Sequence, residues 1–111
     1  MKYDYDRHRL KSELNVIIRQ HYRSPSFNVS MMAALMGIGE RSLYRLCKKH
    51  LSVTPIQLIQ TFKIAQAKQL LKSELVGEEV AKRAGYHCKS AFLQAFKKET
   101  GVCPTKYLKS L

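Results

Sequence analysis

The sequence predicts an all-α fold of about seven helices, with two helix-turn-helix subdomains joined by a long central helix. Three observations predict it. The first is the stretch Pro55–Ser73, PIQLIQTFKIAQAKQLLKS, which has no internal Gly or Pro after its first residue and is rich in strong helix formers. The second is a pair of short-helix, glycine, basic-helix segments on either side of it. The third is composition: 45% hydrophobic residues suffice for a core, while 20 Lys+Arg against 8 Asp+Glu leave a net charge of +12 in 111 residues.

Taken in order, residues 1–9 are polar and of mixed charge, and are expected to be a flexible lead-in. Leu10, Leu14, Ile17, Ile18 and His21/Tyr22 then recur at helical spacing, and the helix they define must end before Ser24-Pro25, since a residue preceding proline is pushed out of helical geometry. Asn28 is suited to cap a short helix from Val29 to Met36 with Met32, Ala33 and Met36 inward. Gly37 supplies a left-handed C-cap, and Gly39 leads into a helix from Glu40 to about His50. The apolar set of that helix is Leu43, Leu46, Cys47 and Leu51, and its outer set is Arg41, Tyr44, Arg45 and Lys48. Residues 10–54 thus form the first subdomain and 55–73 a linker helix, apolar on more than one side: Leu58 with Phe62, and Ile64 with Ala67 and Leu71.

Residues 74–111 repeat the theme. Glu78 and Glu79 open a short helix, where carboxylates suit the N-terminal dipole, and Gly85 closes it. A helix from Lys89 or Ser90 to about Thr100 turns Phe92, Ala95 and Phe96 inward and Ser90, Leu93, Gln94 and Lys97 outward. Gly101 and Pro104 end it, before a short terminal helix or tail over 105–111. Met32-Ala33 and Gly37-Ile38 correspond to Val80-Ala81 and Gly85-Tyr86 at one offset; Leu43, Cys47, Lys48-Lys49, Val53 and Pro55 correspond to Phe92, Phe96, Lys97-Lys98, Val102 and Pro104 at an offset one larger. The extra residue therefore falls in the second inter-helix turn.

So basic a balance favours an acidic partner, of which nucleic acid is the commonest. No apolar run approaches a membrane span, no helix is both strongly basic and openly apolar on one face, and the N-terminus lacks the apolar core of a signal peptide. Cys47, Cys88 and Cys103 are odd in number and without CxxC spacing, which fits reduced thiols in a cytoplasm better than disulfides or zinc. No nucleophile–base pair, phosphate loop, metal set or cofactor motif is present, so the sequence does not read as an enzyme.

These segments resemble the DNA-binding domain of the AraC/XylS family of bacterial transcription regulators. The likeness rests on MAALMGIGERSLYRLCKKHLSVTP, QLIQTFKIAQAKQLL and EEVAKRAGYHCKSAFLQAFKKETGVCPTKYL, and above all on the frame Gly85, Tyr86, Phe92, Phe96, Lys97, Lys98, Gly101, Pro104. The resemblance implies seven helices and two subdomains that each present a second helix to the major groove. At 1.5 Å per residue the linker helix would span roughly 30 Å, against about 34 Å for a turn of duplex, so successive grooves would be within reach of one chain. The base-contact candidates are Arg41, Tyr44 and Arg45 in the first subdomain and Lys89, Ser90 and Gln94 in the second. Ser42, Lys48, Lys49, Lys97 and Lys98 are the phosphate-contact candidates, and a solvated helix end is the simple alternative for each Lys pair. The resemblance also implies contact with RNA polymerase; the family often joins this domain to a separate effector or dimerisation domain, so the stretch is either a piece of such a regulator or a stand-alone member. The competing reading is a helical protein-interaction module that holds RNA polymerase or another regulator with little DNA affinity of its own.

Four positions depart from the family pattern. Cys47 stands where a core Phe is usual, Gly77 (with Val76 as substitute contact) where an apolar residue opens the helix, Lys63 where the linker helix usually has Arg, and Gln94 where some members carry a DNA-contacting Arg.

Overall fold

A computed structural model describes residues 5–73 and 77–111. Within them the chain forms α1 (Arg7–His21), α2 (Val29–Met36), α3 (Glu40–Leu51), α4 (Pro55–Lys72), α5 (Gly77–Arg83), α6 (Lys89–Thr100) and α7 (Pro104–Lys109), with no strand among the described residues. The chain divides into two compact units. One is the segment up to His21 together with Ser26–Ile59; the other is Tyr22–Pro25 together with Gln60–Leu111. Each unit thus owns part of α4, and four residues of the α1–α2 connection belong with the second unit.

In the first unit α1 starts at Arg7, inside the expected lead-in, because the Asp6 carboxylate accepts a 2.7 Å hydrogen bond from the Arg9 amide. Leu10, Leu14 and Ile18 carry its buried face, and Ile17 is only half-buried. With Phe27, Met32, Ala33, Leu43, Cys47 and Ile59 they make the core, while Met36 and Leu46, expected inside, are half-buried. His21 stacks on Phe27 with ring centroids 5.5 Å apart. Asn28 caps α2 as expected, its side-chain oxygen accepting from Met31 N at 2.9 Å.

α4 begins with a reciprocal capping box around Pro55: Thr54 N donates to Gln57 Oε1 at 2.9 Å, and Gln57 N donates to Thr54 Oγ1 at 3.1 Å. Its buried residues are Pro55, Ile59, Lys63, Ile64, Ala67 and Leu71, with Leu58 and Phe62 half-buried. The apolar stripe thus runs one residue away from the expected Leu58–Phe62 line, and a lysine completes it.

The second unit is built on aromatic rings. Tyr86, Phe92, Phe96 and Tyr107 form a chain of ring contacts with successive centroids 5.7, 5.7 and 5.5 Å apart. Ile64, Ala67, Leu71, Val80, Ala81 and Ala84 close around them. Leu93, expected on the outer face of α6, packs partly buried against this cluster instead. Gly77 opens α5; Val76, its suggested substitute, lies outside the described residues.

The two turns that present α3 and α6 share one hydrogen-bond pattern. Ile38 N donates to Ala33 O and Gly37 N to Ala34 O; Tyr86 N donates to Ala81 O and Gly85 N to Lys82 O. Gly37 (φ 74°) and Gly85 (φ 91°) both adopt the left-handed conformation this Schellman closure needs. The repeat read in the letters is a repeat in the backbone, and the additional residue does lie between Gly85 and α6.

Candidate nucleic-acid interface

The first unit gathers its candidates on α3. Glu40, Arg41, Tyr44 and Arg45 line one open depression of about 450 Å³. Ser42, Arg45, Leu46 and Lys49 line a second of about 220 Å³, so Arg45 borders both. Arg41, Tyr44, Arg45, Lys48 and Lys49 are exposed and Ser42 is half-buried. Leu43 and Cys47, on the opposite side of the helix, are fully buried and anchor it. The anchoring and the display are one pattern: a period of 3–4 residues buries Leu43 and Cys47 and leaves the cations outward.

Tyr44 keeps 47% of its surface exposed, so it is not spent on packing. Among the described residues no ion pair joins Glu40 to either arginine, and the guanidinium groups are open to a ligand. Two members of this surface were missed in the sequence. Glu40 sits among the candidates as an acceptor, and Leu46 adds an apolar contact beside Ser42 and Lys49. Leu46 was expected inside because it falls next to Cys47 in the apolar set; Glu40 was read only as the start of the helix.

The second unit displays Lys89, Ser90, Gln94, Lys97 and Lys98 on α6, all exposed, over the buried Phe92 and Phe96. Lys89 and Ser90 stand at the first turn, where amides also point outward. The Lys89 side chain does not stand free: a Cβ on Gly77 would fall 2.7 Å from its Cε and 3.2 Å from its Cδ. The glycine at that unusual position gives the lysine stem room to lie along the start of α5.

What fixes α6 is a buried polar clamp from α4. Lys63, 5% exposed, donates from Nζ to the Gly85 carbonyl at 3.0 Å and lies 5.1 Å from the Tyr86 ring centroid. Burial lowers its ammonium below the usual lysine range. Tyr86 donates its hydroxyl to Gln60 Oε1 at 2.9 Å, and burial, then the Glu99 charge, pushes its phenol far up. Thr61 donates to Glu99 Oε1 at 2.9 Å. The turn before α6 is therefore held by hydrogen bonds with Gln60 and Lys63 of α4.

No group of three or more His, Cys, Asp or Glu side chains that could hold a metal occurs among the described residues, and no helix there is long and apolar enough to cross a membrane. Cys47 is buried, and Cys88 and Cys103 are exposed.

Comparison with known proteins agrees with this layout. A family model described as a helix-turn-helix domain matches residues 32–110. The probable transcriptional regulator LumQ of Photobacterium leiognathi is 29% identical over 91 residues, covering 81% of this chain and 36% of LumQ. The chain spans about a third of the length of the curated relatives it matches. Among solved structures, the C-terminal domain of AraT, a response regulator from Geobacillus stearothermophilus, superposes with a TM-score of 0.84 at 27% identity, over 92% of this chain and 84% of that one. The DNA-binding domain of AdpA, a global transcriptional factor solved in complex with a target DNA, gives 0.79 at 25% identity, over 96% and 93%.

Proposed function

The chain belongs to the AraC-type helix-turn-helix family of transcription-regulator DNA-binding domains, and on that premise we propose that it reads specific double-stranded DNA sites in a bacterial cytoplasm. The observation that carries the proposal is the single exposed face of Arg41, Tyr44 and Arg45 over a buried Leu43–Cys47 anchor. Each guanidinium can hold guanine O6 and N7 with two parallel hydrogen bonds, discriminating by about 1–3 kcal/mol against the wrong base. Glu40 offers an acceptor suited to a cytosine amino group. Ser42, Lys48 and Lys49 would take phosphates beside them, fixing register without reading sequence.

In this reading α6 enters a groove as well. Ser90 and Gln94 supply short polar groups, while Lys89, Lys97 and Lys98 supply charge. The second unit therefore contributes more to affinity than to discrimination. Contact with RNA polymerase, and coupling to a separate effector or dimerisation domain, belong to the same proposal. Exposed Val16, Met31 and Leu35, away from the cationic face of α3, favour a protein contact alongside the DNA one.

Selection of bound duplexes from a random pool, followed by titration against the selected and a scrambled site, tests the proposal. Equal affinity for both at moderate salt would remove the specific-reader claim. Neutralising about 6–10 phosphates would lower affinity about 10³–10⁵-fold between 50 and 200 mM salt. A shallow salt dependence would instead favour the protein-interaction reading.

A further inference from the structure

Away from the reading helix, the outer face of α1 and α2 in the first unit carries a pocket of about 320 Å³ lined by Val16, Ile17, Leu35 and Met36, with Tyr5, Ser12 and Glu13 on its polar side. Val16 and Leu35 each keep 52% of their surface exposed, and Met31, one turn before Leu35 on α2, keeps 41%. Among the described residues no Lys, Arg or His lines this pocket, in a chain whose net charge is +12. A folded chain rarely leaves several large apolar side chains open on one face without a use for them.

Glu13 says what kind of group belongs there. Its Oε2 is buried and has no hydrogen-bond partner among the described residues. Burial, then the neighbouring Glu13 carboxyl, pushes the Tyr5 phenol up, and Arg9 is engaged over the Tyr5 ring, 4.9 Å from its centroid. A carboxylate oxygen taken out of water and left without a donor is costly, and a donor supplied from outside would remove that cost.

We propose that this α1–α2 face docks an amphipathic helix of a partner polypeptide, placing its apolar side chains against Val16, Ile17, Leu35 and Met36 and a lysine or arginine against Glu13. Helix-in-groove recognition of this kind reads apolar anchors at helical spacing and uses the charge to fix register. An acidic helix would meet the Glu13 carboxylate with like charge, and an anionic lipid surface would do so too. None of the lining residues lies on α3.

The test uses the whole chain and a fluorescent 16-residue Ala/Leu helix carrying one Lys a turn away from two Leu, beside two sister peptides with Gln or Glu in place of that Lys. The Lys peptide should bind at least about tenfold tighter than the Gln peptide, and the Glu peptide least of all. Glu13→Gln should cost the Lys peptide about tenfold and leave the Gln peptide unchanged. Glu13→Lys should reverse the order so that the Glu peptide binds best. Val16→Ser with Leu35→Ser should abolish binding of all three, with duplex affinity and melting temperature retained, since both side chains are largely exposed. Equal binding of the three peptides would overturn the proposal as mere stickiness. So would loss of Lys-peptide binding on Arg45→Ala, or tighter binding to phosphatidylglycerol vesicles than to the Lys peptide.

Discussion

The two units carry the same backbone motif with different fillings. In the first, α3 is anchored by Leu43 and a thiol, Cys47, and displays two arginines and a tyrosine. In the second, α6 is anchored by Phe92 and Phe96, and displays a serine, a glutamine and lysines. The second has the larger apolar anchor and a buried lysine clamp; the first displays the guanidinium groups. Two copies of one motif can thus divide helix anchoring and exposed charge chemistry unequally.

The sharpest way to break the comparison is at the paired glycines. Both have positive φ, so Ala is strained at either. At Gly37 a Cβ would meet nothing within 4 Å, whereas at Gly85 it would fall 1.8 Å from the Tyr22 carbonyl oxygen. Gly37→Ala should therefore cost about 1–2 kcal/mol, the left-handed penalty alone. Gly85→Ala should cost about 4 kcal/mol or more, because a backbone atom must also move. Urea unfolding of both variants checks this; equal losses would mean the two turns are not differently enclosed.

Next come the corresponding anchors. Phe96→Ala should lose about 3–5 kcal/mol, as expected for an aromatic removed from a closed core, and Cys47→Ala about 1 kcal/mol. Burial also pushes the Cys47 thiol from 9.0 up to about 11. Its folded pKa is the higher one, so its stabilising contribution is whole below pH 9 and is lost as pH rises towards 11. A thiol reagent at pH 8 should label exposed Cys88 and Cys103 at once and reach Cys47 only through unfolding.

These contrasts also mark what the letters could reveal. The element order, the glycine turns and the exposed cationic face of α3 were legible, because period and turn chemistry are local and fixed by the chain itself. Lys63 was not: nothing local says that a lysine in a helix will find a carbonyl 22 residues later. Nor was the partial burial of Leu93 or of Leu46, since a stripe's centre depends on what packs against it. The capping box Thr54-x-x-Gln57 is local and was readable from spacing alone.

At the reading surfaces, Arg45→Ala should weaken binding to the selected duplex about 10–100-fold and relax preference at its base. Gln94→Ala should cost no more than a few-fold. Lys97→Ala should weaken selected and scrambled duplexes alike and reduce the salt slope by about 1. If Gln94→Ala proved as damaging as Arg45→Ala, the unequal division between the units would be gone.

The smallest effect concerns the ends of the two reading helices. α6 closes on Gly101 at φ 85°, while α3 closes on Ser52 at φ 59°, the only non-glycine residue with positive φ among those described. Ser52 occupies the place of Gly101 in the repeat, so the first unit bears a left-handed strain that the second avoids. Ser52→Gly relieves that strain but gives the unfolded chain more freedom, and the two terms oppose each other. The strain is worth about 1–2 kcal/mol and the added unfolded-state entropy about 0.4–1 kcal/mol, so the variant should be stabilised by roughly 0.5–1 kcal/mol. The reverse change, Gly101→Ser, should destabilise by a similar amount, and the closure of α6 by Gly101 N on Lys97 O at 2.7 Å should lengthen with it. A pair of melts in which Ser52→Gly lowers stability would show that the serine gains more from its place than its backbone angle costs.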